Sequence, residues 1–166
     1  MVEFGAGFFD KLCCVHPDVE KRLGIEIWQP YIDKAASCAK GVIKIKGDIR
    51  NFEALIDEED MDCAMLVDVL EHLEMSEAID LVHRIKDKFN KIILMIPEGN
   101  HPQAEDAHKM GADEYQTHRS TWYKKDLIDL GFQEVVVIEE YHKLWNIPLG
   151  KDIGCLFAEW KRTPYR

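Results

Sequence analysis

Cys63-Ala64-Met65-Leu66-Val67-Asp68-Val69-Leu70-Glu71-His72-Leu73 is the stretch on which the fold turns. Its first five residues are almost wholly apolar, which suits a strand buried on both faces of a parallel sheet. An acid, Asp68, follows at once. Ile92 to Ile96 is a second fully apolar run, ended by Pro97. Between them, Ser76 suits a cap for a helix over 77–89, whose apolar Ala78, Ile79, Val82, Ile85 and Phe89 keep to one face.

Outward from this pair the same alternation continues. Val2 to Phe4 is a short apolar start running into Gly5-Ala6-Gly7. A short helix is expected within 8–15, stopped by Pro17. Leu23 to Trp28 and Val42 to Lys46 have strand chemistry. A helix is expected over 31–40, with Pro30 at its first position and Gly41 just past its end. Arg50 to Ile56 suits a short helix, and Ser120 or Thr121 can cap another that ends before Gly131. Phe132 to Ile138 and Ile153 to Trp160 read as late strands with no helix between them, hence a hairpin and one antiparallel strand at the edge. Strand–helix alternation of this kind indicates a parallel sheet covered on both faces. No repeat or linker interrupts it, so one domain over 1–166 is expected. The 23 residues of 97–119 carry no clear period, and a loop of that length is usually functional or mobile.

Composition narrows the function. The 166 residues carry 21 Lys and Arg against 31 Asp and Glu, a formal charge of −10. Such a chain is a poor electrostatic partner for nucleic acid or an anionic membrane. No apolar run approaches the roughly 18 residues that span a bilayer. The five cysteines, Cys13, Cys14, Cys38, Cys63 and Cys155, form no C-x-x-C pair. They read as reduced thiols of a cytoplasmic protein, with Cys13-Cys14 packed on the short helix.

Ligands of open α/β sheets sit beyond the carboxyl ends of the strands, so the residues after each strand are the ones to read. They are Glu3-Phe4-Gly5-Ala6-Gly7, then Glu26-Ile27-Trp28, Gly47-Asp48-Ile49, Asp68 to Leu73, and Pro97-Glu98-Gly99-Asn100. Gly5 and Gly7 permit positive φ and close approach to the backbone. Glu26 stands 19 residues after Gly7, about the spacing at which an acid meets a ribose diol. Asp48 can accept from an exocyclic amine, Trp28 and Ile49 can sandwich a flat base, and Asp68 can bind an amino group.

The ordered set resembles the class I S-adenosylmethionine-dependent methyltransferases. Residues 2–7 resemble their first glycine motif, 24–31 their ribose-binding segment, 46–50 their adenine-side acid, and 68–73 the signature after the fourth strand. His118-Arg119-Ser120-Thr121-Trp122, with 126–132, resembles the subgroup called methyltransferase type 11. The resemblance implies a Rossmann-like three-layer αβα fold with strand order 3-2-1-4-5-7-6, the last strand antiparallel. It implies S-adenosylmethionine as cofactor, held by Glu3, Gly5 and Gly7, by Glu26, Ile27 and Trp28, by Asp48 and Ile49, and by Asp68 and Val69. A small-molecule or glycan-type acceptor would meet His72 and His118. The chain departs from the pattern at Phe9, where the family has a third glycine, and at its short start. The first strand is expected to be stunted, and the cover over the site to be lost or supplied by a neighbouring copy in a homo-oligomer.

Other readings compete. A nicotinamide-dependent oxidoreductase shares the glycine turn and the ribose acid, but leaves Asp48 and 68–72 unexplained. A non-catalytic protein that kept the fold is the third reading. No metal is expected: His101, His108 and His118 share the long loop with Glu105, Asp106 and Asp113, but His101 and His108 stand seven apart and no tight ligand pair recurs. Those loop residues read as solvated or as substrate contacts. Trp122 and Trp145 read as packing residues, and 57–60 as a solvated acidic loop.

Overall fold

The computed structural model describes residues 1–56, 62–139 and 154–163. Among them seven strands form one sheet: β1 (Val2–Phe4), β2 (Leu23–Glu26), β3 (Ile43–Lys46), β4 (Cys63–Val67), β5 (Lys91–Pro97), β6 (Glu134–Ile138) and β7 (Cys155–Lys161). Their order is β3-β2-β1-β4-β5-β7-β6. The first five strands are parallel, while β7 runs antiparallel to both of its neighbours. The expected order is therefore found. The antiparallel strand is not at the edge, however: β7 is inserted between β5 and β6, and β6 forms the border. Trp145 and the acidic run 57–60 lie outside the described residues, as does Ile153 at the expected start of the last strand.

β1 is only three residues long, yet it pairs with β2 on one side and β4 on the other, and all three residues are buried. Strand alternation sends Phe4, Leu66 and Leu94 to one face and Met65, Val67 and Ile93 to the other. The first face is covered by α2 (Met75–Lys88), α4 (Lys124–Asp129) and a 3-10 segment, Ile49–Ala54. At its centre Phe4 meets Phe52 edge-on at 5.2 Å and Phe89 at 5.9 Å. Such pairs are worth about 0.5–1.5 kcal/mol each beyond the area they bury. The second face is covered more thinly. Two 3-10 turns, Lys11–Cys14 and Ser37–Gly41, lie there with the five-residue α1 (Gln29–Asp33).

This thin cover departs from the sequence expectation. The helix expected over 31–40 is broken after Asp33, because Ala36 turns extended (ψ 143°) and donates its N–H to the Phe8 carbonyl at 2.8 Å. A tertiary bond thus replaces the helical one. The structure also pairs Cys13 with Cys38 as a disulfide, Cα to Cα 5.7 Å, which ties the two turns together. The expectation of five reduced thiols is corrected there. Cys14 is exposed rather than packed, and Cys155 is buried. No helix among the described residues is long and apolar enough to cross a membrane.

Two caps also differ. α2 starts at Met75, one residue before Ser76, because the Glu77 carboxylate reaches back to the Glu74 N–H at 3.3 Å. α4 starts at Lys124, where Asp126 accepts from the Tyr123 N–H at 2.8 Å. Ser120 is engaged elsewhere, donating to the Leu70 carbonyl at 3.0 Å and accepting from the Trp122 indole at 2.9 Å. Trp122 is buried, as expected of a packing residue.

The turn after β1 shows how the chain manages without a third glycine. Phe9 takes that position with φ 61°, a conformation that is rare for a bulky residue. Its ring is fully buried and fills the space above Gly24, where an added Cβ would lie 2.6 Å from the ring. Burial of the ring offsets the backbone cost. Gly24→Ala is expected to overpack this contact and lower stability by about 1–3 kcal/mol. Chemical denaturation of the variant measures it, and an unchanged midpoint would mean that Phe9 is free to swing aside.

Candidate active site

A cavity of about 550 Å³ opens at the carboxyl ends of the parallel strands. Four strand ends meet in its wall. Gly5 and Gly7 come from β1, Glu26 and Ile27 from β2, Asp48 and Ile49 follow β3, and Asp68 and Val69 follow β4. His72 and His118 also border it. The residues singled out from separate segments of sequence are thus brought together, with two exceptions.

Glu3 is the first exception. It is fully buried beneath the glycine turn and does not reach the cavity. Neither carboxylate oxygen has a hydrogen-bond partner, and the Lys11 ammonium stands 3.9 Å away. Trp28 is the second. Its indole donates to the Met110 carbonyl at 3.2 Å and its ring packs against Tyr115, so it anchors the long loop and is not among the residues that line the cavity.

The glycine turn itself is closely determined. Gly5 has φ 66°, and a Cβ there would lie 2.7 Å from Val69 Cγ2. Gly7 has φ 52° with nothing near its missing side chain, so ligand can approach the backbone. The Gly7 N–H points at Glu26 Oε2, 2.8 Å away, while Oε1 accepts from the Trp28 N–H at 2.8 Å. Glu26 is buried, and burial raises its pKa; its backbone hydrogen bonds pull the other way. Each oxygen keeps a lone pair for a hydroxyl of a bound diol.

Asp48 is held differently. Burial pushes its pKa up, but hydrogen bonds from Arg50 outweigh this and leave it below the ordinary value. Arg50 grips both oxygens of Asp48, with Nη2 at 2.6 Å, and also reaches Glu77 at 3.0 Å. The acid therefore borders the cavity already charge-paired. Arg50 is a wall residue that the sequence reading did not single out.

On the far side, the chain at 118–120 lies across the 3-10 turn Leu70–His72. The N–H groups of Arg119 and Ser120 both donate to the Glu71 carbonyl, at 2.7 and 3.1 Å. Arg119 Nη1 donates to the His72 carbonyl at 2.9 Å. Two motifs almost fifty residues apart thus form one wall. The His72 and His118 rings lie 4.9 Å apart, and His118 Nδ1 meets the His101 carbonyl. Burial lowers the His72 pKa to about 4, with the neighbouring His118 adding, so its ring is neutral at pH 7.

The long loop is more ordered than its sequence suggests. It contains one helical turn, α3 (Asp113–Gln116), and a buried hub, Asp106. Asp106 accepts from the Tyr31 hydroxyl and from the N–H groups of His108 (2.8 Å), Met110 (2.6 Å) and Ala112 (3.2 Å). Burial raises the Tyr31 pKa, and the bond to Asp106 adds to the shift. The expectation of a solvated Asp106 is corrected, because a short acid followed by turn N–H groups organises the loop around itself. His108 packs on Phe8 and Tyr31, well engaged with that end of the cavity.

No protein-family model matches the sequence, and no curated protein matches it. Solved structures match the fold. Phosphoethanolamine N-methyltransferase 2 of Haemonchus contortus, in complex with S-adenosylhomocysteine, aligns with TM-score 0.67 and 11% identity over 98% of this chain and 48% of that one. A SAM-dependent methyltransferase of Archaeoglobus fulgidus aligns with TM-score 0.60 and 18% identity, covering 96% and 85%. An S-adenosylmethionine-dependent methyltransferase of Mesorhizobium loti aligns with TM-score 0.61 and 16% identity, covering 97% and 90%. The chain spans about half the length of the Haemonchus enzyme.

The buried Glu3 generates a pH prediction. Burial raises its pKa from 4.5 to about 8; Lys11 opposes the shift, while Asp10 and Glu26 add to it. The folded chain therefore holds a proton that the unfolded chain releases above about pH 4.5. Stability from this group falls as pH rises from 4.5, and the loss levels off above about 8. Glu3→Gln is expected to flatten that slope, as read from denaturation midpoints at pH 5, 6.5 and 8. Parallel pH profiles for the two proteins would show that Glu3 is not protonated when folded. The strand order, the glycine turn and the cavity at the strand ends together give this chain the fold of the class I S-adenosylmethionine-dependent methyltransferases.

Proposed function

We propose that the protein transfers the methyl group of S-adenosylmethionine to a small-molecule or glycan-type acceptor. The observation that carries the reading is the Glu26 carboxylate, held between the Gly7 and Trp28 N–H groups at the edge of the cavity. A carboxylate so placed can accept both hydroxyls of a ribose. Ile49 and the Asp48–Arg50 pair offer an apolar face and a polar edge to a base, and Asp68, on the wall beside Gly5, suits an ammonium group. The fold match supports the same cofactor, since the Haemonchus enzyme was solved with its demethylated product.

When bound, the cofactor supplies an electrophilic methyl group on a sulfonium. The chain's own work is then to bind, orient and exclude water. Positioning of this kind can contribute roughly 7–11 kcal/mol. His72 and His118 face the space in which an acceptor hydroxyl or amine would lie. The segment around Asp106 closes the cavity on the side of Tyr31.

Calorimetric titration with S-adenosylhomocysteine is expected to show stoichiometric binding. Glu26→Gln keeps one acceptor oxygen but loses the charge. Charge-assisted bonds are worth roughly 1.5–3 kcal/mol each, so affinity is expected to fall by about 10-fold or more. No heat at millimolar ligand, in a folded sample, would overturn the reading.

A further inference from the structure

Glu71 is buried almost completely, and the mechanism above makes no use of it. One carboxylate oxygen, Oε2, has no hydrogen-bond partner, and the buried Nδ1 of His72 has none either. Polar atoms buried in this way cost roughly 1–3 kcal/mol each and ask for an explanation. They come from adjacent residues of the same 3-10 turn, and His118 is brought to them by the segment that lies across that turn. Within this group Glu71, His72 and His118 each offer one ligand atom, and these atoms all lie within 4.8 Å of one another.

We propose that Glu71, His72 and His118 form a binding site for a divalent transition-metal ion, such as Zn²⁺ or Mn²⁺, at the acceptor end of the cavity. Two imidazoles and one carboxylate make a donor set that such ions take up, leaving coordination positions open. Neutral imidazole is the form that ligates. Around an ion with ligands at about 2.1 Å, the donor atoms stand about 3.4 Å apart. The three groups therefore need to draw in by about 1 Å, within reach of side-chain rotation.

The surroundings carry charge of both signs, with the Arg119 guanidinium on the His72 side and a carboxylate on the Glu71 side. Asp68 belongs to the same segment, and its charge bears on Glu71. The ligand-bearing backbone is braced: the Glu71 carbonyl holds the N–H groups of Arg119 and Ser120, and Arg119 holds the His72 carbonyl. His118 is also held from behind, because its Nδ1 meets the His101 carbonyl. Orientation of a ligating ring through its other nitrogen is how metal-binding histidines are commonly set. His118 Nε2 is then the atom left to ligate. Of the other loop histidines, His108 packs on Phe8 and Tyr31.

Ion binding is independent of the methyl-transfer reading; only its use in holding an acceptor oxygen beside the methyl group rests on that reading. The test is titration of metal-free protein with Zn²⁺ by calorimetry, and with Mn²⁺ by electron paramagnetic resonance. One ion per chain is expected. His118→Ala and His72→Ala are each expected to weaken binding by at least about 10-fold, the lower range seen even for groups behind the ligands. His83→Ala, an exposed histidine of α2, is expected to change nothing. Retained S-adenosylhomocysteine binding and circular dichroism verify that the variants fold. No ion bound at millimolar metal, or binding unchanged in both His118→Ala and His72→Ala, overturns the site. Metal binding without S-adenosylhomocysteine binding would leave the ion site standing and remove the methyl-transfer reading. The reverse result would do the opposite.

Discussion

The contact between the Gly7 N–H and the Glu26 carboxylate, 2.8 Å long, is the constraint from which the site follows. It joins the turn after β1 to the end of β2, beyond the last paired residues of the two strands, Phe4 and Ile25. With the Ala6 N–H held by the Ile25 carbonyl at 3.0 Å, it bends the chain sharply over the top of the sheet. The bend requires positive φ at Gly5, and Val69 fills the space that a side chain there would occupy. The cavity is thus the hollow that remains when two parallel strands end in a turn and an acid that need each other. Burial of a carboxylate is costly, and the two N–H donors offset part of that cost.

Much of this was legible because it is local. The apolar runs of β4 and β5 have few alternatives to a buried strand, and the structure places them as expected. The glycines and the acids after each strand occupy fixed offsets from those runs, so parallel pairing brings them to one edge. The strand order followed from resemblance to a family rather than from periodicity. Nothing in residues 132–160 by itself says that β7 inserts between β5 and β6.

What was not legible is what long-range contacts decide. The residues 31–40 have good helical signals, yet one bond from Ala36 to Phe8 and one crosslink from Cys38 to Cys13 divide them. Trp28 has the chemistry of a base-stacking residue, but its indole is claimed by the Met110 carbonyl. Ser120 has the chemistry of a helix cap, and it serves instead to pin the 118–120 segment on the turn after β4. Each side chain keeps the chemistry read from the sequence while its partner changes. Propensity states what a group can do, and tertiary geometry selects among its options.

The two halves of the cleft are built by different means, and this bears on what each can recognise. The half that faces Gly5, Glu26 and Ile49 is made of strand ends, whose positions are set by the ladder of the sheet. Its geometry cannot shift without moving β1, which is buried on every side. The other half is made of the turn at 70–72 and the loop from 101 to 119. These are held by backbone carbonyls and by Asp106, which depend on no pattern of apolar residues. A change of loop sequence can therefore reshape the loop side of the cavity while the strand-end side stays in place, provided that two anchors persist. One is the pair of N–H groups on the Glu71 carbonyl, and the other is the set of donors around Asp106. This division explains why the strand-end side could be read from single residues, whereas the loop side is set by tertiary contacts that single residues do not announce.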